Sequence, residues 1–250
     1  MMKIMRPCIN LLNSRSMSNQ QKDLYYQIHV NRYQEIFNKI KSLNFSPGSK
    51  VLDIGCYPPY LLDFLTEQKF DTYGICSQHE TVNRSKISIL NIDNDSLPYK
   101  DDQFSLIVIS EVLEHLTGDP VNILSEIYRV LKPGGYLLLT TPNVLRIQNI
   151  ISLLIGKNIY FGLDQLKNSS QKSGTIYFRH NREYFSKELL ILLKSSGFSK
   201  NIIKYFISYT PFRAKNISDP FWLKTIKYLN YFLMLVFVNR KDTIFILSQK

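Results

Sequence analysis

Short apolar runs alternate with amphipathic stretches along most of this 250-residue chain. Residues 22–43 carry apolar side chains mostly at helical spacing, and Pro47-Gly48 ends that pattern. Residues 50–55 form a short apolar run that leads into a turn, and a helical stretch begins at Pro59. Six further runs have the length and composition of strands, at residues 72–76, 88–92, 104–109, 135–141, 202–209 and 243–248. Helices that alternate with such runs predict a parallel sheet covered on both faces.

Local signals mark the ends of two later helices. Asp119 is typical of a helix N-cap, and Pro120 suits the first helical position. Ser186 is predicted to cap a helix over residues 187–196, which Gly197 ends. Together with the strand pattern, these signals predict one α/β domain.

The chain is predicted to consist of a flexible leader, residues 1–21, and a single domain, residues 22–250. Two parts of that domain depart from the alternation of strands and helices: an insertion at about residues 143–185 and a hydrophobic helical segment at about residues 220–238. The polar start of the chain argues against a secretory signal. The longest apolar run is too short for a bilayer, which needs about 20 residues. We therefore expect a cytoplasmic protein, either free or peripheral to the inner face of the membrane.

Composition excludes several classes of protein. A hydrophobic fraction of 44% and a charged fraction of 20% are typical of a folded chain and not of a disordered one. The net charge of +11 is spread over basic residues that recur singly, which argues against nucleic acid as a partner. Coding bias toward Lys explains the same charge. Three cysteines without a Cys-x-x-Cys pair predict a reduced protein with no metal site.

Four segments follow one another in the order that a known family shares. They are Val51-Leu52-Asp53-Ile54-Gly55-Cys56, then Asp93-Asn94-Asp95-Ser96-Leu97-Pro98-Tyr99, then Ser110-Glu111-Val112-Leu113-Glu114-His115-Leu116, and finally Arg129-Val130-Leu131-Lys132-Pro133-Gly134-Gly135-Tyr136-Leu137-Leu138-Leu139-Thr140-Thr141-Pro142-Asn143. With these segments the chain closely resembles the class I S-adenosylmethionine-dependent methyltransferases, above all the branches that modify small molecules and glycans. The resemblance covers about residues 30–198. It implies a Rossmann-like, doubly wound, mostly parallel seven-stranded sheet with helices on both faces, and S-adenosylmethionine as the cofactor.

The resemblance also implies where the cofactor would lie. The turn Asp53-Ile54-Gly55 would hold its methionine end, and Asp93 would accept a hydrogen bond from the adenine amino group. Leu97 would line the adenine, and residues 111–115 would lie above the sulfonium. A ligand with an ammonium, a sulfonium and an amine donor suits a site lined by acceptors and carboxylates. The predicted cofactor-binding residues are Asp53, Gly55, Cys56, Tyr57, Cys76, Ser77, Asp93, Asn94, Leu97, Ser110 and Glu111.

The chain departs from the family pattern at three places, one of which is Phe104-Ser105, where the family usually has Phe-Asp. Cys56-Tyr57-Pro58-Pro59 stands where the family has further glycines, and the two prolines remove two amide donors. The family places an acidic residue after the second strand to hold the ribose hydroxyls. Here Cys76 follows that strand, so Ser77, Gln78 or Glu80 would have to substitute. These departures keep open a protein that binds the cofactor without catalysing a reaction.

Two histidines are the candidates for catalysis. Methyl transfer needs the acceptor, the methyl group and the sulfur in line, so orientation supplies much of the rate. A hydroxyl acceptor is a poor nucleophile unless a base takes its proton, and histidine has a suitable pKa. We therefore predict His115 and His180 as catalytic or acceptor-contacting residues. The alternative for His115 is a structural role in which it hydrogen-bonds the loop.

The acceptor is predicted to contact the region after the fifth strand. Tyr177, Arg179 and Arg182 lie there, and two guanidinium groups would favour an anionic acceptor such as a sugar phosphate or an acidic glycan. A solvated loop face explains the same residues without a ligand.

The sequence thus predicts a methyltransferase that acts on a small-molecule or glycan acceptor, most readily on oxygen. One alternative is a non-catalytic binding or scaffold protein with the same fold. Another is a quinone or lipid methyltransferase at a membrane, because aromatic and basic residues in the segment at residues 220–238 suit an interfacial helix. The same segment would equally suit packing on the sheet or on a second subunit in a homodimer.

Overall fold

A computed structural model describes residues 19–76, 86–160, 180–208 and 221–250 of the chain. Its core is one seven-stranded sheet in the order β3-β2-β1-β4-β5-β7-β6. The strands are β1 Lys50–Ile54, β2 Asp71–Cys76, β3 Ile87–Ile89, β4 Phe104–Ser110, β5 Leu131–Pro142, β6 Lys200–Phe206 and β7 Thr243–Gln249. Neighbours from β3 to β5 pair in parallel, whereas β7 is antiparallel to both β5 and β6.

Within the described ranges, six helices accompany the sheet. They are α1 Asn19–Ser42, α2 Tyr60–Glu67, α3 Pro120–Val130, α4 Ile147–Leu154, α5 Ser186–Ser195 and α6 Phe221–Val236, and single 3-10 turns span Leu113–His115 and Val238–Arg240. Successive residues of β4 point to opposite faces of the sheet. Ile107 packs with α3 and α5 on one face, and Leu106 packs with α1 and α2 on the other. Both faces are therefore covered, which is why the strands read as continuous apolar runs.

The predicted fold class is confirmed, with some corrections to the bounds of its elements. The third strand is shorter than predicted and ends at Ile89. The fifth begins at Leu131, directly after α3, and not at residue 135. The irregular insertion predicted at residues 143–185 contains the helix α4.

The two predicted helix starts have different outcomes. Asp119 caps α3 as predicted, because its side chain accepts a hydrogen bond of 2.9 Å from the amide of Val121. Ser186 was wrongly predicted as a cap, since it is the first residue of α5. Instead, the carboxylate of Glu188 accepts a hydrogen bond of 2.9 Å from the amide of Phe185, which gives a backbone donor at the start of that helix a partner.

The order of the strands places a crevice above β1 and β4. The chain runs outward from β1 through β2 to β3, then returns to form β4 on the other side of β1. Loops that leave β1 and β4 therefore diverge at the carboxyl edge of the sheet, where open α/β sheets bind their ligands. The predicted division into a leader and a domain stays a prediction, since residues 1–18 lie outside the described residues. None of the helices in the described part of the chain is long and apolar enough to span a membrane.

Candidate active site

The turn after β1 is built around Gly55. Its φ of +83° lies in the left-handed region that glycine adopts without strain. A Cβ at this position would lie 2.3 Å from Cγ2 of Val112, so a larger residue would collide with the loop after β4. The amides of Gly55 and Cys56 both donate to the carbonyl of Ile75, at 2.9 and 3.1 Å. The turn is thus tied to β2 on one side and packed against the loop after β4 on the other.

Asp53 lies on β1 two residues before that turn and is 4% exposed. In the sheet it pairs with Gly74 of β2 and Val108 of β4. Burial raises the pKa of its carboxyl group from 3.8 to about 7, because the charged form loses its hydration. A cationic group bound in the crevice would favour the charged form again. The position therefore suits an ammonium ligand.

The loop between β1 and α2 closes over a small cluster that contains two thiols. Cys56 and Cys76 are buried and form no disulfide, and their sulfur atoms lie 2.6 Å apart. Leu62 and half-buried Tyr57 pack against them. The structure thus brings Cys56 and Cys76 together, but both thiols face the cluster and neither is accessible to solvent. Ser77, the other residue predicted at this corner, lies outside the described residues.

Asp93 connects the loop after β3 to the loop after β4. One carboxylate oxygen accepts from the amides of Thr117 and Gly118 at 3.0 and 3.2 Å. The other accepts from the hydroxyl of Thr117 at 2.7 Å. Asp93 is only partly buried, so it remains open to a ligand while it fixes the second loop. Asn94 beside it is exposed.

Leu97 is held in the core beneath these loops. Its amide donates to Glu126 at 2.9 Å, and its carbonyl accepts from Arg129 at 3.1 Å. Arg129 also pairs with Glu126 at 2.7 Å, so one side-chain network of α3 fixes the segment that was predicted to line the adenine.

Glu111 lies directly above the carboxyl end of β4. Its φ of +55° is unusual for a residue other than glycine, and such a conformation costs about 1 to 3 kcal/mol and tends to mark functional sites. Its carboxylate accepts from Thr140 Oγ1 at 3.0 Å and lies 3.6 Å from Nη1 of Arg32. The hydroxyl of Ser110 also forms a hydrogen bond with Thr140, with 2.8 Å between the two hydroxyl oxygens.

Sequence reasoning missed Arg32. This residue belongs to α1, more than seventy positions before Glu111, and is only 3% exposed. A signal was present, because Arg32 falls on the apolar stripe formed by Ile28, Ile36 and Ile40. A basic residue on the inward face of an amphipathic helix indicates a buried partner.

Glu114, His115 and His180 meet beside Glu111. Glu114 is fully buried, and its Oε2 accepts from Thr141 Oγ1 at 3.0 Å. Its Oε1 lies 3.8 Å from Nε2 of His115. The ring centroids of His115 and His180 are 4.9 Å apart, with the rings nearly perpendicular. The two histidines predicted from the sequence are therefore neighbours in the structure, and a buried carboxylate accompanies them.

The charge of Glu114 is constrained by its surroundings. Burial first, and the nearby carboxylate of Glu111 second, raise the pKa of Glu114 well above its ordinary value. The backbone holds the residue in place, because its carbonyl accepts from the amides of Asn181 and Arg182 at 2.7 and 3.2 Å. Asn181 also donates to the carbonyl of His115 at 2.6 Å. These bonds join the loop after β4 to the segment that precedes α5.

Glu183 was also missed by the sequence analysis. It accepts from Arg146 and Asn149 at 2.7 and 2.8 Å and lies 3.1 Å from Nδ1 of His180. Burial alone would raise the pKa of Glu183, but the hydrogen bond from His180 and the charge of Arg146 hold it below its ordinary value. A carboxylate thus orients the ring of His180 from behind.

The residues predicted to contact the acceptor are only partly described. Arg182 is exposed, and its Nη2 donates to Glu188 of α5 at 2.7 Å. Its guanidinium also lies 5.4 Å from the ring of Tyr184. It therefore faces α5 and not the histidine pair. Tyr177 and Arg179 lie outside the described residues.

Comparison with known proteins identifies relatives of this chain. A family model described as a methyltransferase domain matches residues 26–200. A probable S-adenosylmethionine-dependent methyltransferase of Mycolicibacterium smegmatis is 26% identical over 183 residues, which are 71% of this chain and 60% of that protein. A ubiquinone biosynthesis O-methyltransferase of Aliivibrio fischeri is 27% identical over 161 residues, 60% of this chain and 64% of that protein. The match thus spans less than two thirds of the length of these curated relatives.

Solved structures share the fold at low sequence identity. A SAM-dependent methyltransferase of Archaeoglobus fulgidus superposes with a TM-score of 0.57 at 17% identity, covering 88% of this chain and 94% of that one. Phosphoethanolamine N-methyltransferase 2 of Haemonchus contortus, solved with S-adenosyl-L-methionine, gives a TM-score of 0.54 at 13% identity. The match covers 87% of this chain and 52% of that one. At these identities the likeness shows the fold alone.

The burial of Asp53 makes stability depend on pH. The folded pKa of about 7 lies above the ordinary value of 3.8, so the folded state binds more protons and loses stability as pH rises between these values. We expect Asp53→Asn, which stays neutral, to be about 1 to 4 kcal/mol more stable than the wild type at pH 8. Urea unfolding would show this difference shrinking toward pH 4. The surface variant Glu67→Gln should show no such trend, and an Asp53→Asn that is no more stable at pH 8 would contradict the assignment.

Proposed function

We propose, because this chain belongs to the methyltransferase domain family, that it transfers the methyl group of S-adenosylmethionine to an oxygen of a small-molecule or glycan acceptor. The observation that carries the choice of oxygen is the group formed by Glu114, His115 and His180 next to Glu111. Polar groups able to handle the proton of a hydroxyl are needed for an oxygen acceptor, whereas a neutral amine is already a nucleophile.

The charged groups of the crevice support the binding of the cofactor's methionine end. That end carries an ammonium and a carboxylate. Asp53 and Glu111 offer carboxylates to the ammonium, and Arg32 offers a guanidinium to the carboxylate. The side chain of Val112 fills the space beside Gly55, so the loop after β4 packs directly on the turn between these groups. These residues fit a zwitterionic ligand.

The adenosine end would lie along the loops that Asp93 joins. Its carboxylate keeps acceptor capacity beyond the hydrogen bonds from Thr117 and Gly118. Leu97, fixed by Arg129, provides an apolar surface below.

The loop after β1 would contribute in another way. Cys56, Tyr57 and Cys76 would act through the backbone and shape of the loop, because the two thiols are buried.

The protein's own contribution to the reaction is mainly orientation. When bound, S-adenosylmethionine supplies a methyl group on a positively charged sulfur. Residues at the carboxyl ends of β4 and β5 fix one side of the reaction path, where Thr140 donates a hydrogen bond to Glu111. His115 and His180 fix the other side and contact the acceptor hydroxyl. Alignment of two bound molecules in this way accounts for a large part of the barrier reduction.

One observation favours a more specific acceptor, a lipid or quinone at a membrane surface. We call the exposed apolar side chains of α4, α6 and the residues that follow them the apolar face. Its members are Leu153, Leu154, Ile155, Ile226, Tyr228, Leu229, Phe232, Leu235, Val236, Phe237 and Val238. Patches of this kind mark interaction surfaces. Exposed Lys157 and Lys224 beside it suit anionic lipid. The relative from Aliivibrio fischeri, by its name, acts in ubiquinone biosynthesis.

Cofactor binding is tested first by calorimetric titration with S-adenosylhomocysteine. We expect stoichiometric binding to the wild type and a Kd at least ten times higher for Asp53→Asn and for Asp93→Ala. The first variant loses the charge offered to the ammonium, and the second loses an acceptor at the adenosine end. Glu67→Gln should bind like the wild type. No heat at millimolar ligand would exclude the proposal.

Methyl transfer is tested with S-adenosylmethionine that carries a tritiated methyl group. We expect label to move onto members of a panel of catechols, polyprenyl hydroxybenzoates and sugar phosphates, and the rate to fall at least tenfold in His115→Ala and His180→Ala because the acceptor loses its contacts. A protein that binds the cofactor and labels nothing in the panel or in a cell extract would instead be the non-catalytic binding protein.

The membrane acceptor predicts binding to lipid. The full chain should sediment with vesicles that contain phosphatidylglycerol, because the apolar face enters the interface. Leu229→Asp and Phe232→Asp should abolish this sedimentation. Ile191→Asp is a matched control, since Ile191 is similarly exposed and lies on α5, which contributes no residue to the face. A wild type that stays in the supernatant would exclude the membrane acceptor, and a dimer broken by the same two variants would show that a second copy covers the face.

A further inference from the structure

We propose that Glu114, His115 and His180 bind a divalent transition-metal cation beside the acceptor. One ligand atom from each residue lies within 4.8 Å of the other two. A cation held about 2.1 Å from each ligand needs ligand atoms roughly 3 to 3.5 Å apart, so small side-chain rotations would close the site. The proposal deepens the function given above and rests on it, because the cation would act on the acceptor hydroxyl.

Glu114 supplies the independent sign of a missing positive charge. Its Oε2 accepts from Thr141, but its Oε1 is buried without a hydrogen-bond partner among the described residues. The distance of 3.8 Å from that atom to Nε2 of His115 is too long for a hydrogen bond. A buried polar atom left in this way costs free energy, and more when it is charged. A cation between the carboxylate and the imidazoles would remove that cost.

Arg32 brings a positive charge to this part of the crevice. Arg32 lies 3.6 Å from the carboxylate of Glu111. Glu111 and Glu114 therefore present two acidic groups to this part of the crevice, and Arg32 lies in ion-pair range of the first while its charge only partly offsets the raised pKa of the second. A divalent ion at Glu114 would balance the second.

The side chains around His180 have the arrangement that metal sites use. Its Nδ1 lies 3.1 Å from Oε1 of Glu183, so Nε2 is the nitrogen available to a cation. Arg146 and Asn149 hold Glu183 in turn. Carboxylates behind ligand histidines fix the ring and its tautomer in this way. Asn181 binds the carbonyl of His115 and so keeps the two histidine segments together.

The ligand set narrows the identity of the cation. Two imidazoles and one carboxylate suit Zn²⁺, Mn²⁺ or Fe²⁺, whereas Mg²⁺ and Ca²⁺ prefer oxygen ligands only. Three protein ligands leave positions for a further oxygen, as in catalytic sites. Both histidines are partly exposed, so those positions face the crevice and not the core.

The cation would change how the acceptor is activated. A hydroxyl bound to it loses its proton to solvent near neutral pH. The resulting oxygen forms the new C–O bond as the S–C bond breaks, and the electron pair of that bond stays on sulfur, which leaves as a neutral thioether. The two imidazoles would then serve as ligands and not as bases. The proposed site departs from the expectation, drawn from the sequence, of a chain without a metal site.

The test uses the full chain, stripped with EDTA and dialysed. The protein is titrated with Mn²⁺ alone, and binding is measured both by calorimetry and by the loss of the EPR signal of the free ion. We expect one equivalent of Mn²⁺ to bind with micromolar affinity. Glu114→Gln and His180→Gln should each weaken binding at least tenfold, and Mg²⁺ should compete poorly. Glu67→Gln removes a carboxylate elsewhere and should bind like the wild type. His180 is partly exposed, so His180→Gln keeps the test available if Glu114→Gln does not fold.

Two results would overturn the metal site. One is the absence of saturable Mn²⁺ or Zn²⁺ binding, and the other is binding that both variants retain. Failure of the function is separate, because titration with S-adenosylhomocysteine in EDTA reports the cofactor site alone. If that ligand binds and methyl transfer is as fast in EDTA as in Mn²⁺, the metal is excluded and the transferase stands. If it does not bind, the proposed function fails whatever the metal does.

Discussion

The contact between Gly55 and Val112 determines how the crevice is built. Gly55 has no side chain, so the side chain of Val112 in the loop after β4 packs directly on the turn after β1. Asp53, before the turn, and Glu111, before Val112, therefore belong to one site although they are far apart in sequence. The shared carbonyl of Ile75 then joins β2 to the same turn. A substitution that adds a Cβ at Gly55 would separate all of these groups.

This construction concentrates acidic groups where the sheet gives them little hydration. Asp53 and Glu114 are buried, and burial raises the pKa of both. A chain selected only for stability would avoid such groups, because each unpaired buried charge costs free energy. Arg32 lies in ion-pair range of Glu111 and only partly offsets Glu114, whose pKa stays raised. The remaining negative charge is understandable if the crevice binds cations, one on the cofactor and one at Glu114.

The fold was predictable because its signals are local. The cap at Asp119, the turn at Gly55 and the alternation of short apolar runs each depend on neighbouring residues, and each was found. Arg32 and Glu183 escaped because their partners lie far along the chain, and only the packed sheet brings them together. For Cys76 the position was predictable but the contact of its side chain was not. Its position at the end of β2 was evident, but nothing in the sequence showed that its sulfur faces Cys56 and not a ligand.

The apolar face and the histidine pair are connected through α4. Asn149 of that helix donates to Glu183, and Glu183 orients His180. A few residues further along, the same helix ends in Leu153 and Leu154, which are strongly exposed. Met234 anchors α6 to α4, since it is buried and its sulfur lies 3.7 Å from the side-chain Nε2 of Gln148. An acceptor anchored in a lipid interface at this face would therefore approach the site from the side that positions His180, and movement of α4 upon binding would reach that histidine through two hydrogen bonds.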